Sequence, residues 1–174
     1  EVLVYIEDET YAAYAASELL AQCEHDPDAS AIALSPSQTV LTAIQNELEL
    51  QLPALKRQSI LKQSLANSAL YHIENREQAI DAINTIASEH LCLLIDDYQT
   101  MRSKIKYAGA IFCGPYTPVA LGDYVAGPNH VLPTNRAARF SAALSVMDFM
   151  TFSSHLTCEK SHLKAMSSTV DVLT

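Results

Sequence analysis

The sequence predicts a three-layer α/β/α fold in which a mostly parallel sheet of about five strands lies between two layers of helices. Short runs of β-branched and aliphatic residues alternate along the chain with longer segments whose apolar residues recur at helical spacing. The short runs are apolar on both faces, which is typical of strands in a parallel sheet that is covered on both sides. At 174 residues and 49% hydrophobic, the chain is long enough to bury one sizeable core.

Each predicted element has a local reason. The helix after the first strand ends before Pro27, because proline disfavours helical geometry in the residue that precedes it. Ser37 and Asn75 are suited to be helix N-caps. The predicted strands are residues 2–6, 31–34, 69–73, 91–95 and 108–113. The predicted helices are residues 10–24, 37–52, 55–65, 75–87, 98–105, 144–152 and 159–173. This alternation predicts a Rossmann-like core.

Two parts are expected in the chain. Residues 1–134 are predicted to form a Rossmann-like domain that carries a long loop, although this domain is incomplete. Residues 135–174 are predicted to be a helical extension, in which Met147, Phe149 and Phe152 act as packing residues. The chain begins with Glu1 directly before a strand and not with Met, so we expect it to be a piece of a larger protein.

Composition excludes several classes of partner. The net charge of −9 repels nucleic acid phosphates and anionic membranes, and no apolar run approaches the ~20 residues that span a bilayer. The cysteines at 23, 92, 113 and 158 show no CxxC spacing, which predicts reduced core thiols and a cytoplasmic protein. No GxGxxG follows the first strand, so the phosphate-binding turn of a dinucleotide site is absent there.

The stretch GPYTPVALGDYVAGPNHVLPT, residues 114–134, is the most informative segment. Its glycines permit unusual backbone conformations and its prolines fix φ, so we expect a stiff, ordered loop without a helix. Loops of this length are uncommon in compact domains unless they form a site. Asp123 and His130 are its chemically capable side chains. A rigid surface connection is the alternative.

Two further pairs of polar residues are candidates for the site. Gln22 and His25 are three apart at the end of the first helix and share a face, while Glu89 and His90 lie between a helix and a strand. Each pair could instead be a solvated surface feature. Because the strands begin at one edge of a parallel sheet, both pairs are expected there, and the long loop can bring Asp123 back to them. Gln, His and Asp donors suit a divalent ion such as zinc.

Three motifs resemble the histidinol dehydrogenase family. They are LLAQCEHDPDA at 19–29, SEHL at 88–91 and AGAIFCGPYTPVALGDYVAGPNHVLPT at 108–134. The resemblance covers nearly the whole chain and matches the later part of a considerably longer enzyme. It implies NAD-dependent oxidation of L-histidinol to L-histidine through histidinal, the last step of histidine biosynthesis, with one zinc ion beside the substrate.

The resemblance also implies residue roles. Gln22, His25 and Asp123 match zinc ligands, and Glu89 and His90 match the catalytic acid/base pair. The substrate, L-histidinol, is expected to contact His130 together with Gln22, His25, His90 and Asp123.

Some family features have no counterpart in this chain. The fourth zinc ligand and a substrate-binding Glu belong to a C-terminal segment that the partner subunit of a homodimer supplies, and most NAD-binding residues are expected upstream of Glu1. We therefore expect the chain to be inactive alone. The alternative is a non-catalytic α/β domain that binds a metal or small molecule or serves in assembly.

Overall fold

The computed structural model describes residues 1–173 and has the predicted alternation of strands and helices. The strands are Val2–Ile6 (β1), Ala31–Ser35 (β2), Ala69–His72 (β3), His90–Leu94 (β4) and Ala110–Cys113 (β5). The α-helices are Ala12–His25 (α1), Gln38–Gln51 (α2), Gln58–Ser64 (α3), Arg76–Ile86 (α4), Tyr98–Arg102 (α5), Val119–Tyr124 (α6) and Lys160–Leu173 (α7). Ser37 and Asn75 cap α2 and α4 by accepting hydrogen bonds from backbone N–H groups, as predicted.

The five strands form one sheet in the order β3-β2-β1-β4-β5, and every pairing is parallel. The predicted parallel α/β fold is therefore confirmed. Val2 pairs with His90, so the first residues of β1 and β4 are neighbours in the sheet. Since α1 runs back from the far edge, its last turn also ends near the amino edge of the sheet.

The core has two layers because successive strand residues point to opposite faces of the sheet. In β1, Val4 and Ile6 pack in the cluster that α1 and α2 cover, whereas Leu3 and Tyr5 pack in the cluster that α4 covers. All five residues of β1 are buried. His90 and Phe112 lie on the α1 side of the sheet, because they alternate along their strands with the buried Leu91 and the half-buried Ile111, which pack on the other side.

The predicted helix over 144–152 is wrong. The structure has only a 3₁₀ turn, Val146–Phe149, whose Ser145 and Asp148 form a capping box. The side chains of Met147, Phe149 and Phe152 are 54%, 80% and 78% exposed, so they are not packing residues in this structure. A short helix depends on burial of an apolar face, and no described element covers this segment.

The predicted loop over 114–134 contains a helix that we did not expect, α6. Pro118 lies just before its first residue, where a missing N–H breaks no helical hydrogen bond, so proline did not prevent the helix. The thiol prediction is correct for Cys23 and Cys92, which are buried, but Cys158 is exposed. Among residues 1–173, no helix combines the length and the apolar composition needed to cross a bilayer.

Candidate active site

A cleft of about 430 Å³ opens at the amino edge of the sheet, between α1, the start of β4 and α6. All six predicted site residues line it: Gln22, His25, Glu89, His90, Asp123 and His130. They come from three separate segments of the chain. The length of the loop after β5 permits a return to this edge, and in the structure the loop does return, through the helix α6.

Helix α1 contributes two of these side chains from its last turns. Gln22 is half-buried, and His25, the last residue of the helix, is exposed. Asp26 follows in an extended conformation, which ends the helix before Pro27. The two side chains are three residues apart and so lie on one face of the helix, from which both reach the cleft.

A tight turn between α4 and β4 places Glu89 and His90. Ala87 ends α4 in a left-handed conformation, and the buried Ser88 hydroxyl donates a hydrogen bond of 2.9 Å to the His90 carbonyl. The carbonyl of Glu89 accepts a hydrogen bond from the Ala110 N–H at 2.8 Å. This fixed backbone directs both neighbouring side chains into the cleft.

Close packing also fixes the turn from the side of β5. A Cβ atom at Gly109 would lie 2.6 Å from the Glu89 carbonyl oxygen, which is closer than such atoms approach. Only glycine therefore allows the start of β5 to lie so close to the Glu89 backbone.

His90 is buried at the back of the cleft with only 8% of its surface exposed. Neither ring nitrogen has a hydrogen-bond partner among the described residues. A Glu89 carboxylate oxygen lies 3.9 Å from Nδ1, and an Asp123 oxygen lies 4.0 Å from Nε2. Burial lowers the pKa of His90, and the two carboxylates oppose this effect without reversing it. The ring is therefore neutral near pH 7 and able to accept a proton.

Asp123 reaches the cleft from α6. This helix packs against the ring of Phe112 at Gly122. Phe112 in turn lies against the His90 ring, with 5.9 Å between the ring centroids. His130, further along the same segment, is exposed at the rim of the cleft.

Glu18 is a carboxylate in the cleft that the sequence analysis missed. It lies on the α1 face that carries Gln22 and His25, since the three residues are spaced i, i+4 and i+7. Its carboxylate accepts a hydrogen bond from the Val119 N–H at 3.3 Å. Burial raises the pKa of the Glu18 carboxyl, the Val119 hydrogen bond opposes this, and the charge of Asp123 adds to it. The helical spacing was the signal that could have revealed it.

No cluster of three or more His, Cys, Asp or Glu side chains in residues 1–173 has a metal-binding arrangement. The predicted zinc set contains only two residues of those types, His25 and Asp123, because the third donor is the Gln22 amide. The predicted zinc set alone thus offers three donors, one fewer than the four protein ligands of a closed zinc site.

The family model for histidinol dehydrogenase matches residues 1–174. The chain belongs to the histidinol dehydrogenase family. A histidinol dehydrogenase from Acinetobacter baylyi is 45% identical over 99% of the chain, and one from Pseudomonas fluorescens is 41% identical over the same share. In both comparisons the chain spans 40% of the relative's length.

A solved structure agrees with the sequence relatives. The crystal structure of histidinol dehydrogenase from Elizabethkingia anophelis superposes with a TM-score of 0.91 at 31% identity, covering 99% of this chain and 40% of that one. The α/β architecture described above is thus shared with a histidinol dehydrogenase, an oxidoreductase by name.

Within this histidinol dehydrogenase fold, Gly122→Ala is expected to destabilise the chain by about 1–3 kcal/mol through overpacking. A Cβ atom at Gly122 would lie 2.5 Å from the Phe112 ring, so the ring or α6 must move. The free energy of unfolding from urea denaturation checks this.

The matched control for this prediction is the double variant Phe112→Leu/Gly122→Ala. The smaller leucine side chain leaves room for the methyl group. Adding Gly122→Ala to Phe112→Leu should therefore lower the free energy of unfolding by less than adding it to the wild type. Equal costs in the two backgrounds would contradict the packing explanation.

Proposed function

We propose that this cleft binds L-histidinol and zinc in an NAD-dependent histidinol dehydrogenase, which oxidises histidinol to histidine through histidinal. One observation carries the proposal. In a chain of this family, six residues with the required chemistry line one cleft, although they come from three segments spread over more than 100 positions of the chain. Activity is to be measured in the complete enzyme, which here means a full-length histidinol dehydrogenase polypeptide that contains these residues at the matching positions.

The donors in the cleft fit a zinc ion. Gln22 supplies an amide oxygen, His25 an imidazole nitrogen and Asp123 a carboxylate oxygen, and zinc accepts this mixture of ligands. When bound, zinc supplies positive charge that orients the substrate and offsets the carboxylates. The fourth ligand is proposed to come from the partner subunit of a homodimer. The large apolar side chains that residues 140–173 leave exposed, such as Phe149 and Leu163, support a partner there.

His90 is proposed to accept the proton of the histidinol hydroxyl as the alcohol is oxidised. A general base must be deprotonated at the working pH, and the lowered pKa of His90 meets that requirement. Its ring nitrogens have no hydrogen-bond partner among the described residues, so one of them is free to bond a substrate hydroxyl.

Glu89 is proposed to activate the water that adds to histidinal. Its carboxylate lies beside His90 at the cleft wall, where it can accept a proton from water while His90 remains available for the oxidation step. His130, at the rim, is proposed to contact the substrate.

NAD does not fit the sheet of this chain. In Rossmann-like sheets the pyrophosphate binds after β1, at the carboxyl edge. Here Glu7 and Asp8 follow β1. The Glu7 carboxylate accepts two hydrogen bonds from the Arg76 guanidinium, at 2.6 and 2.8 Å. Carboxylates at this position repel phosphate. We propose that residues outside this chain bind the cofactor.

We also propose that the enzyme works in the cytoplasm.

Asp123→Ala in the complete enzyme is expected to lower the zinc-to-protein ratio, because loss of the carboxylate removes a ligand and a compensating charge. Metal analysis after dialysis against a weak chelator measures the ratio.

The matched control is Asp81→Ala, which removes an exposed carboxylate from α4, outside the cleft. Zinc content that is unchanged in Asp123→Ala would refute the ligand assignment, whereas a loss seen equally in both variants would point to a general effect of charge.

A further inference from the structure

We propose that Glu18 is a positioning residue: its carboxylate anchors the start of α6 to α1 and so sets the place of Asp123 relative to Gln22 and His25. The inference rests on the proposed function, because it concerns how the zinc donors of that site are brought into register. Nothing in the motifs of the sequence assigns a role to Glu18.

Helix α6 cannot maintain its own position. It has six residues, and isolated helices shorter than about 12 residues are marginal in water. Pro118 occupies its N-cap position and makes no side-chain capping hydrogen bond. The Leu121 N–H donates to the Pro118 carbonyl, but the first N–H group of the helix, that of Val119, needs an acceptor from elsewhere in the fold.

Glu18 provides that acceptor from a distant part of the chain. Its Oε2 accepts the hydrogen bond of the Val119 N–H, and the two residues are 101 positions apart. Val119 also packs against the core cluster on the α1 side of the sheet. Asp123 follows Val119 by four residues, one helical turn, so the anchored residue and the carboxylate lie on the same face of α6.

The anchor and two of the proposed zinc donors share one rigid support. Glu18, Gln22 and His25 lie along the same face of α1, whose opposite face is buried through residues such as Ala16 and Leu20. A movement of α1 thus carries all three side chains together. Through the Val119 hydrogen bond it carries Asp123 with them, which keeps the three donors in register.

The test compares Glu18→Ala, Glu18→Gln and the control Glu24→Ala, which removes a carboxylate from α1 outside the cleft. Hydrogen exchange of the amides of residues 121–125 is measured by NMR in the 174-residue chain. Glu18→Ala is expected to speed this exchange about fivefold or more over the control, as expected for a lost cap. Glu18→Gln should stay near wild type because its amide oxygen still accepts a hydrogen bond.

A second readout separates positioning from general stability. In the complete enzyme, Glu18→Ala is expected to weaken zinc binding about tenfold while the free energy of unfolding stays close to that of Glu24→Ala. Exchange of α6 equal in Glu18→Ala and Glu24→Ala would overturn the inference, as would zinc affinity equal in the two.

The outcome of Asp123→Ala shows which claim has failed. Faster α6 exchange in Glu18→Ala together with full zinc content in Asp123→Ala would leave the anchor standing and refute the proposed function. Zinc loss in Asp123→Ala with unaltered α6 exchange in Glu18→Ala would refute only the anchor.

Discussion

His90→Asn in the complete enzyme is expected to slow the oxidation of both histidinol and histidinal hydrate by about 10²–10⁴, the usual cost of losing a general base. Both steps release a proton, and His90 is the buried neutral imidazole placed to accept it. Asn keeps a polar side chain of similar size but cannot take up a proton. Single-turnover formation of NADH from each substrate measures the effect.

The control for His90→Asn is His72→Asn, which changes an exposed histidine outside the cleft. It should leave both rates near wild type. A His90→Asn enzyme that oxidises either substrate at the wild-type rate would contradict the role of His90 as the shared base.

Glu89→Gln is expected to differ in kind from His90→Asn. It should slow the aldehyde step by about 10²–10⁴ while slowing alcohol oxidation far less, because only the aldehyde step needs an activated water. The same single-turnover experiment, with histidinol and then histidinal, separates the two steps. Equal losses on both substrates would mean that Glu89 orients His90 or the substrate and does not activate water.

The fold was largely predictable because its signals are local. Each strand is a short apolar run, and the caps Ser37 and Asn75 follow from their residue types. Helix α6 was missed because its stability comes from contacts with Phe112 and Glu18, which propensity does not report. The helix predicted over 144–152 failed for the reverse reason, since no described element packs on it.

The site was predictable in part from topology. A parallel sheet brings the end of α1 and the start of β4 to one edge, which places Gln22 and His25 near Glu89 and His90. The return of Asp123 was only permitted by the length of the loop. The roles assigned to Asp123 and to the other site residues come from the family resemblance and not from their spacing.

The central claim is that zinc and histidinol meet in this cleft. Anomalous diffraction at the zinc edge, from crystals of the complete enzyme grown with histidinol, tests it most directly. We predict a zinc peak bounded by Gln22, His25 and Asp123, with histidinol against Glu89 and His90. A zinc peak elsewhere, or histidinol bound at the opposite edge of the sheet beside Glu7 and Arg76, would contradict it.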